Sequence, residues 1–562
     1  MKKFWLQTLL LVGAVLFLYG STGSFEFLRL DDHDYTFRCA FVFDGFSRAN
    51  LKEALLNARH AAIWMPVTYL SYMCDISLFG PAPGIHHLIN AGLHALAAVL
   101  LFVLARRLAP RHPWAALAAA AFWAVHPQRA EAVAWIAGRK DVLCGIFTLS
   151  GLIAWHGRHW LAATFACALA CMSKPAGMCF PLLILALDLL PDANRRPVDK
   201  LKTIPMWLMA IGTGALAIYS QTHADGYEVR DLFSAPLPWR LLNAAVTLGL
   251  DLFQMLFPAG IHLDYRATPG QFPLDGILGL SALGAAALIM SITVFRAYRQ
   301  HRVLATLAWP LAFLAALAPT LGLFGSFGEH ARADRFLYLP AMAIALFLLQ
   351  IFNESPRWQN RKMLKGLSCL LILFHAGMAI PVIAAYHDDY SVFSRTLKFD
   401  PLNGRALAHV AGEECARRGE MDRGINHYRR SYELRPRDDT AAQLAYALMR
   451  RGLSGDYDEI RRIGSKFACD HTLDAKGMAL EALGVTALRQ QRWREAISLL
   501  EDSIQAPRRF YSAEDAKLQL ALAYIGARQT EKALPILNAL ADSARKDLAL
   551  QARQTLANLH RE

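Results

Sequence analysis

Cysteine is scarce throughout this chain, and charge is scarce over its first two thirds. Nine cysteines in 562 residues exclude a disulfide-built scaffold. Charged residues make up only 19% against 55% apolar ones, with a mean hydropathy of +0.25. That balance excludes a disordered chain and a single soluble domain. The shortage of charge is regional: residues 387–562 hold 28 Lys+Arg and 25 Asp+Glu, whereas residues 1–386 hold 31 and 21 over more than twice the length. No Gly-rich phosphate loop and no nucleophile elbow occurs, so nothing points to nucleotide hydrolysis or a serine hydrolase. Metal-ligand spacing is also missing. His86 and His87 are adjacent and cannot share one helical face.

What is present is a series of long apolar runs. A spanning helix needs about 20 mostly apolar residues. Candidate spans are 4–20, 84–105, 114–126, 142–157, 159–172, 176–190, 204–220, 275–295, 303–324, 335–352 and 366–386, about eleven in all. The stretch 239–258 carries Arg240 and Asp251 and reads as an interfacial or re-entrant helix. Basic residues set the orientation. With a cytoplasmic N-terminus, the inner segments collect 17 basic residues against four acidic ones, including Arg106, Arg107, Arg195, Arg196, Lys200, Lys202, Arg357 and Arg361. Of the net charge of +13, +10 lies in residues 1–386, where a basic bias marks cytoplasmic loops and implies no nucleic-acid partner. Residues 1–386 are expected to form an all-α polytopic membrane bundle, and residues 387–562 a soluble domain on the outer side.

That soluble domain has an internal period near 35 residues. Gly412, Gly419, Gly424, Tyr428 and Pro436 in 405–436 take the offsets of a tetratricopeptide helix pair. Leu480, Leu483, Gly484, Ala496 and Pro507 repeat them in 477–507, as do Ala521, Tyr524 and Ala533 in 514–547, with a degenerate copy over 439–472. About four pairs stack as a short α-solenoid whose concave face suits peptides or protein surfaces.

The outer loops of the membrane part hold the polar constellations. Asp31 and Asp32 follow the first span, and two adjacent carboxylates push one pKa upward. They read as a general base with a supporting acid, or as a solvated turn. The second loop, 126–141, runs from His126 and Pro127 to a crowd of Glu131, Arg139, Lys140 and Asp141. Its cations suit a phosphate; the plainer alternative is an interfacial helix with snorkelling side chains. Lys174 lies in an apolar turn, Ser173-Lys174-Pro175. The last outer loop, 328–340, holds Glu329, His330, Arg332, Asp334, Arg335 and Tyr338. Asn90 and His94, one turn apart in the second span, read as interhelical hydrogen-bond partners. Cys39 and Cys74 share the first outer stretch, but spacing does not establish a bridge. Acids and cations thus gather at the outer ends of separate spans, as expected where a lipid-linked anion meets an acceptor.

Together Asp31-Asp32, the block HPQRAEAVAWIAGRKD at 126–141, SKP at 173–175, ADRFLYLP at 333–340 and a tetratricopeptide tail resemble the transmembrane and tetratricopeptide repeat-containing O-mannosyltransferases. These are GT-C class membrane glycosyltransferases. The resemblance implies a GT-C bundle at 1–386, a repeat domain at 387–562 and an inverting transfer from a polyprenyl-phosphate sugar to Ser/Thr hydroxyls of a protein held by the repeats. It maps the catalytic position to Asp31, with Asp32 and Glu131 beside it, and the donor phosphate to Arg139, Lys174, Arg332 and Arg335. His126, Asp141, Asp334 and Tyr338 complete the matched motifs. It implies no resident cofactor, leaves a divalent cation open, and suggests a bacterial inner membrane with periplasmic repeats. Transfer to a lipid or polysaccharide, or a non-catalytic scaffold, are the other readings of the same residues.

Overall fold

The computed structural model describes residues 2–36, 38–57, 60–190, 200–223, 236–265, 273–299, 301–323, 332–354, 362–467, 475–506 and 512–559. Expectations placed on Arg195, Arg196, Arg357, Arg361, Glu329, His330 and Pro507 lie outside these residues. Among the described residues the chain is helical throughout, and pairing of extended backbone is confined to one isolated antiparallel bridge between Tyr265 and Arg332. It divides into two compact units, Met1–Arg395 and Thr396–Glu562. The boundary falls inside the helix Asp389–Phe399, nine residues beyond the expected one.

The first unit is a membrane domain, but the expectation of about eleven spans is corrected. Among the described residues six helices are long and apolar enough to cross: Lys2–Ser24, Pro83–Leu108, Lys200–Thr222, Leu274–Tyr298, Val303–Thr320 and Lys362–His387. Pro113–Val125, Trp160–Ser173, Pro175–Asp188 and Pro340–Asn353 are apolar but shorter. Proline explains the shortfall. It starts helices at Pro113 and Pro340 and interrupts them at Pro127 and Pro175, because its ring removes a donor and fixes φ. The helix Arg139–His156 opens on three charged residues. The amphipathic helix Leu237–Leu256 is also outside the six; it lies so close to Leu274–Tyr298 that a Cβ on Gly249 would strike the backbone of Gly279.

The first outer stretch is more ordered than a loop. It forms the helices Asp31–Tyr35, Ala40–Phe43, Arg48–Leu56 and Pro66–Phe79. The last of these is fastened by Thr68, whose hydroxyl donates to the Ser173 carbonyl (3.0 Å), and by Tyr72, which donates to the Ile136 carbonyl (2.7 Å). Cys39 is buried and Cys74 exposed, both as free thiols.

The second unit is built from helix pairs that begin at Gly404, Asp438, Ala475 and Glu514, closed by Lys546–Leu559. One apolar core runs through it, including Ile425, Leu444, Leu448, Leu500, Leu518 and Leu537. The small residues of the repeat pattern sit where helices approach closely. A Cβ on Gly424 would fall 2.9 Å from the Ala411 carbonyl, and one on Gly484 2.7 Å from Leu500. Gly419 ends its helix at φ +70°, a conformation that favours glycine.

Candidate functional site

The outer-loop motifs meet in the first unit, and Asp32 is the stitch. It is fully buried. One carboxylate oxygen accepts the Leu28 N–H (3.0 Å) and the other the Ala137 N–H (2.7 Å), which ties the first loop to the second. Burial pushes its pKa up to about 8, against those two donors and with the charges of Asp31 and Asp389 adding to the rise. Gly138 makes the second-loop turn feasible, since a Cβ there would collide with the Ala132 backbone.

Asp31, one residue earlier, has the opposite environment. Its side chain is 44% exposed. Lys140 Nζ lies 3.3 Å from Asp31 Oδ2, and the Tyr35 hydroxyl donates to the same oxygen (3.2 Å) while accepting from Lys140 (3.1 Å). Partial enclosure would raise its pKa, but Lys140 and Arg335 outweigh that and hold the carboxyl below its ordinary value. The pair therefore splits into an ionised, accessible carboxylate and a buried, structural one.

Two cations, Lys140 and Arg335, face Asp31, and Lys174 lies beyond Lys140, each on an aromatic face. Lys140 lies 4.5 Å from the Tyr35 ring centre and 5.7 Å from that of Trp135. Arg335 lies 5.4 Å from Trp135 and 5.0 Å from Phe336, and Lys174 5.6 Å from Phe336. Lys174 is paired with Asp141. Arg335 is paired with Glu131, which also accepts the Arg335 backbone N–H (2.9 Å). Glu131 is 3% exposed and spends both oxygens on Arg335. It holds a cation in place.

The remaining expected residues are enclosed. Arg139 is fully buried and donates to Asn90 Oδ1 (2.6 Å), Ser71 Oγ (3.1 Å), the His86 carbonyl (3.0 Å) and Asp75. Asn90 in turn donates to the carbonyls of Trp135 and Ile136 (3.1 and 3.2 Å), so this network sets the turn that carries Ala137 and Lys140. Arg332 is paired with Asp251 (2.5 Å) and donates to Gln254, fastening the amphipathic helix to the last loop. Asp334 accepts from the Tyr265 hydroxyl (2.8 Å), and burial pushes it up to about 7. His126 is tied to the Met255 carbonyl (3.1 Å) and the Gln128 N–H (3.2 Å). Tyr338 is buried against His94 (2.8 Å), and a Cβ on Gly145 would lie 2.7 Å from its ring.

Four supporting acceptors or aromatics were not marked by the sequence: Asp75, Asp389, Trp135 and Tyr35. Asp389 accepts the Arg29 N–H with both oxygens (2.9 and 3.2 Å), and the Glu26 N–H donates to the His387 carbonyl (2.9 Å). The segment following the last long apolar helix therefore buttresses the Asp31 loop. Among the described residues, no group of three or more His, Cys, Asp or Glu is arranged to hold a metal ion.

No family profile matches the chain. Among curated proteins, a protein O-mannosyl-transferase of Caenorhabditis elegans is 23% identical over 66% of this chain and 54% of its own length. Mouse protein O-mannosyl-transferase TMTC3 is 23% identical over 68% and 45% respectively. Drosophila melanogaster Tmtc1, of the same description, reaches 34% over 144 residues, 24% of this chain and 17% of its own. The chain spans about half the length of the longer matches. Among solved structures, yeast Tom70 aligns over 83% of this chain and 96% of its own at 15% identity, with a TM-score of 0.20, too slight a likeness to bear on the fold. On the curated matches, the chain resembles the TMTC protein O-mannosyl-transferases.

Proposed function

We propose that the chain is a membrane glycosyltransferase that moves a sugar, mannose by resemblance, from a polyprenyl-phosphate donor to a Ser or Thr hydroxyl of a protein held by the repeats. The observation that carries this is the accessible carboxylate of Asp31 beside two cations, with a third beyond them, each on an aromatic face. The acceptor oxygen attacks the anomeric carbon while the bond from that carbon to the phosphate oxygen breaks. The electron pair leaves with the phosphate, whose charge meets Lys174 and Arg335. The hydroxyl proton passes to Asp31. A single displacement of this kind inverts the anomeric centre and needs one base, unlike the carboxylate pair of a retaining hydrolase. Arg139 and Arg332, buried and bonded to Asp75 and Asp251, position the loops in this reading.

The site end of the bundle faces the periplasm of a bacterial inner membrane in this reading. Its support is the gathering of Asp31, Lys140, Lys174 and Arg335 at one end. Arg107, which donates to the Ile153 carbonyl (3.0 Å), and Lys202, 5.9 Å from the Trp160 ring, belong to the basic inner segments. An impermeant thiol reagent should reach a cysteine placed in the repeats only from the periplasmic side; labelling from the cytoplasm would reverse the orientation.

Sugar transfer by purified Asp31→Asn tests the mechanism. The substitution keeps size and removes basicity, so the rate should fall about 100- to 10,000-fold with the fold kept and donor binding not weakened. Near-normal transfer would end the proposal.

A further inference from the structure

We propose that Lys140 is a further catalytic residue that exchanges Asp31 for the donor phosphate, so that the base stays latched until a donor is bound. This rests on the glycosyltransferase reading above. Each site cation has its own carboxylate: Lys174 has Asp141, Arg335 has Glu131 and Lys140 has Asp31. The first two carboxylates are 5% and 3% exposed and fixed within the protein; only Asp31, at 44%, opens outward. The Lys140 ammonium has three N–H donors. Two of them serve Asp31 and Tyr35, and the third has no acceptor among the described residues.

The placement favours exchange. Lys140 and Arg335 flank the same indole, Trp135, at 5.7 and 5.4 Å. Trp135 itself is buried, so the anion is met at the edge that Asp31 opens; a phosphate drawn to Arg335 there also meets the Lys140 charge and competes with Asp31 for the ammonium. The titratable and charged groups facing Asp31 are the Tyr35 hydroxyl on its own short helix, its neighbour Asp32, Lys140 of the second loop and Arg335 of the last; Lys174 and Asp141 face Lys140. When Lys140 turns to the phosphate, Asp31 keeps the Tyr35 hydroxyl but loses its strongest cation. It thereby becomes a better base as the acceptor arrives, because an opposite charge nearby favours the ionised form. No bond is made or broken in the exchange; one ion pair replaces another.

The test is a double-mutant cycle on the affinity of the full-length protein for undecaprenyl phosphate. Asp31→Asn releases Lys140 and should tighten binding about tenfold, or about 1.4 kcal/mol. In a Lys140→Gln background the same change should tighten it less than about twofold, which separates exchange from simple like-charge repulsion. Lys140→Arg keeps the charge and should keep the tightening, so the idea stays testable if Lys140→Gln does not fold. Equal tightening in the wild-type and Lys140→Gln backgrounds would overturn the exchange, as would none in wild type or in Lys140→Arg. Failure of the wild type to bind undecaprenyl phosphate would instead remove the donor reading itself, and the exchange with it.

Discussion

The two units use arginine–carboxylate pairs differently. In the membrane unit Arg335 and Glu131 meet with side chains 10% and 3% exposed, and Arg139 and Asp75 with 0% and 9%. In the repeat unit several pairs lie in water, Arg430 and Glu433 with 52% and 63% exposed and Arg492 and Glu495 with 38% and 48%, while Arg451 and Asp456, with 18% and 7%, are partly enclosed. Desolvating an ion pair costs several kcal/mol per ion, and a well-packed apolar pair of similar volume often does as well. Stability alone therefore gives little reason to enclose charge. In the membrane unit the enclosed Arg335–Glu131 pair stands beside the accessible carboxylate of Asp31, whereas the exposed pairs of the repeats are spread over helix surfaces. Enclosure that converges on an opening is the mark of a site, and exposure without convergence that of a solvated face.

The sharpest way to break this comparison is to remove one enclosed partner. Glu131→Ala leaves the Arg335 guanidinium buried without its carboxylate, and its backbone N–H without an acceptor. The membrane unit should lose about 3–5 kcal/mol of stability. Thermal unfolding in detergent, followed by a probe in the first unit, measures it. A loss under about 1 kcal/mol would mean that the enclosure is only apparent and that Glu131 is free for another task.

Much of this arrangement was legible beforehand, and the part that was not has physical causes. Every apolar run marked as a span forms a helix, because hydropathy reports burial from water well. Hydropathy does not report helix length, because proline stops an apolar run without making it less apolar, as at Pro127 and Pro175. The Asp31-Asp32 motif was visible, and so was the second loop, but not which of its neighbouring cations faces the opening. Arg139 and Lys140 are about 100° apart on a helix. Only the position of Asp75 and Asn90 on two other helices sends Arg139 inward and leaves Lys140 beside Asp31. Asp251 and Asp389 were out of reach for the same reason: their partners Arg332 and Arg29 are distant in sequence.

A smaller effect separates the two adjacent aspartates. The Asp32 carboxyl is raised to about 8 by burial, above its ordinary value of 3.8. A group whose folded pKa is raised contributes stability that is complete below its unfolded value and is lost as the pH rises through the folded one. The membrane unit should therefore lose stability between about pH 4 and pH 8, and Asp334, raised to about 7, adds a loss of the same sign. Asp32→Asn turns an amide N–H₂ towards a backbone N–H and should cost about 1–3 kcal/mol. It should also flatten the decline between about pH 4 and pH 8, since the titrating group is gone. Unfolding temperatures of wild type and variant across that range decide the matter. An unchanged slope would assign the pH dependence to other groups and weaken the split between an accessible base and a buried stitch.

The smallest expected effect lies in the repeats and tests the other half of the comparison. Arg430 and Glu433 are three residues apart on the helix Met421–Leu434 and meet at 2.9 Å with both side chains largely in water. Such a pair gains little from Coulomb attraction at high dielectric, and it gives up side-chain entropy to hold one geometry. A cycle of Arg430→Ala, Glu433→Ala and the double variant should give a coupling of about 0.2–0.5 kcal/mol. The coupling should shrink further as the salt rises from 0.1 M to 1 M, because screening shortens the Debye length from about 10 to about 3 Å. A coupling above about 1 kcal/mol that resists salt would place this pair with those of the membrane unit. Exposure would then no longer distinguish a solvated face from a site, and the repeat surface around Arg430 would have to be searched for an opening of its own.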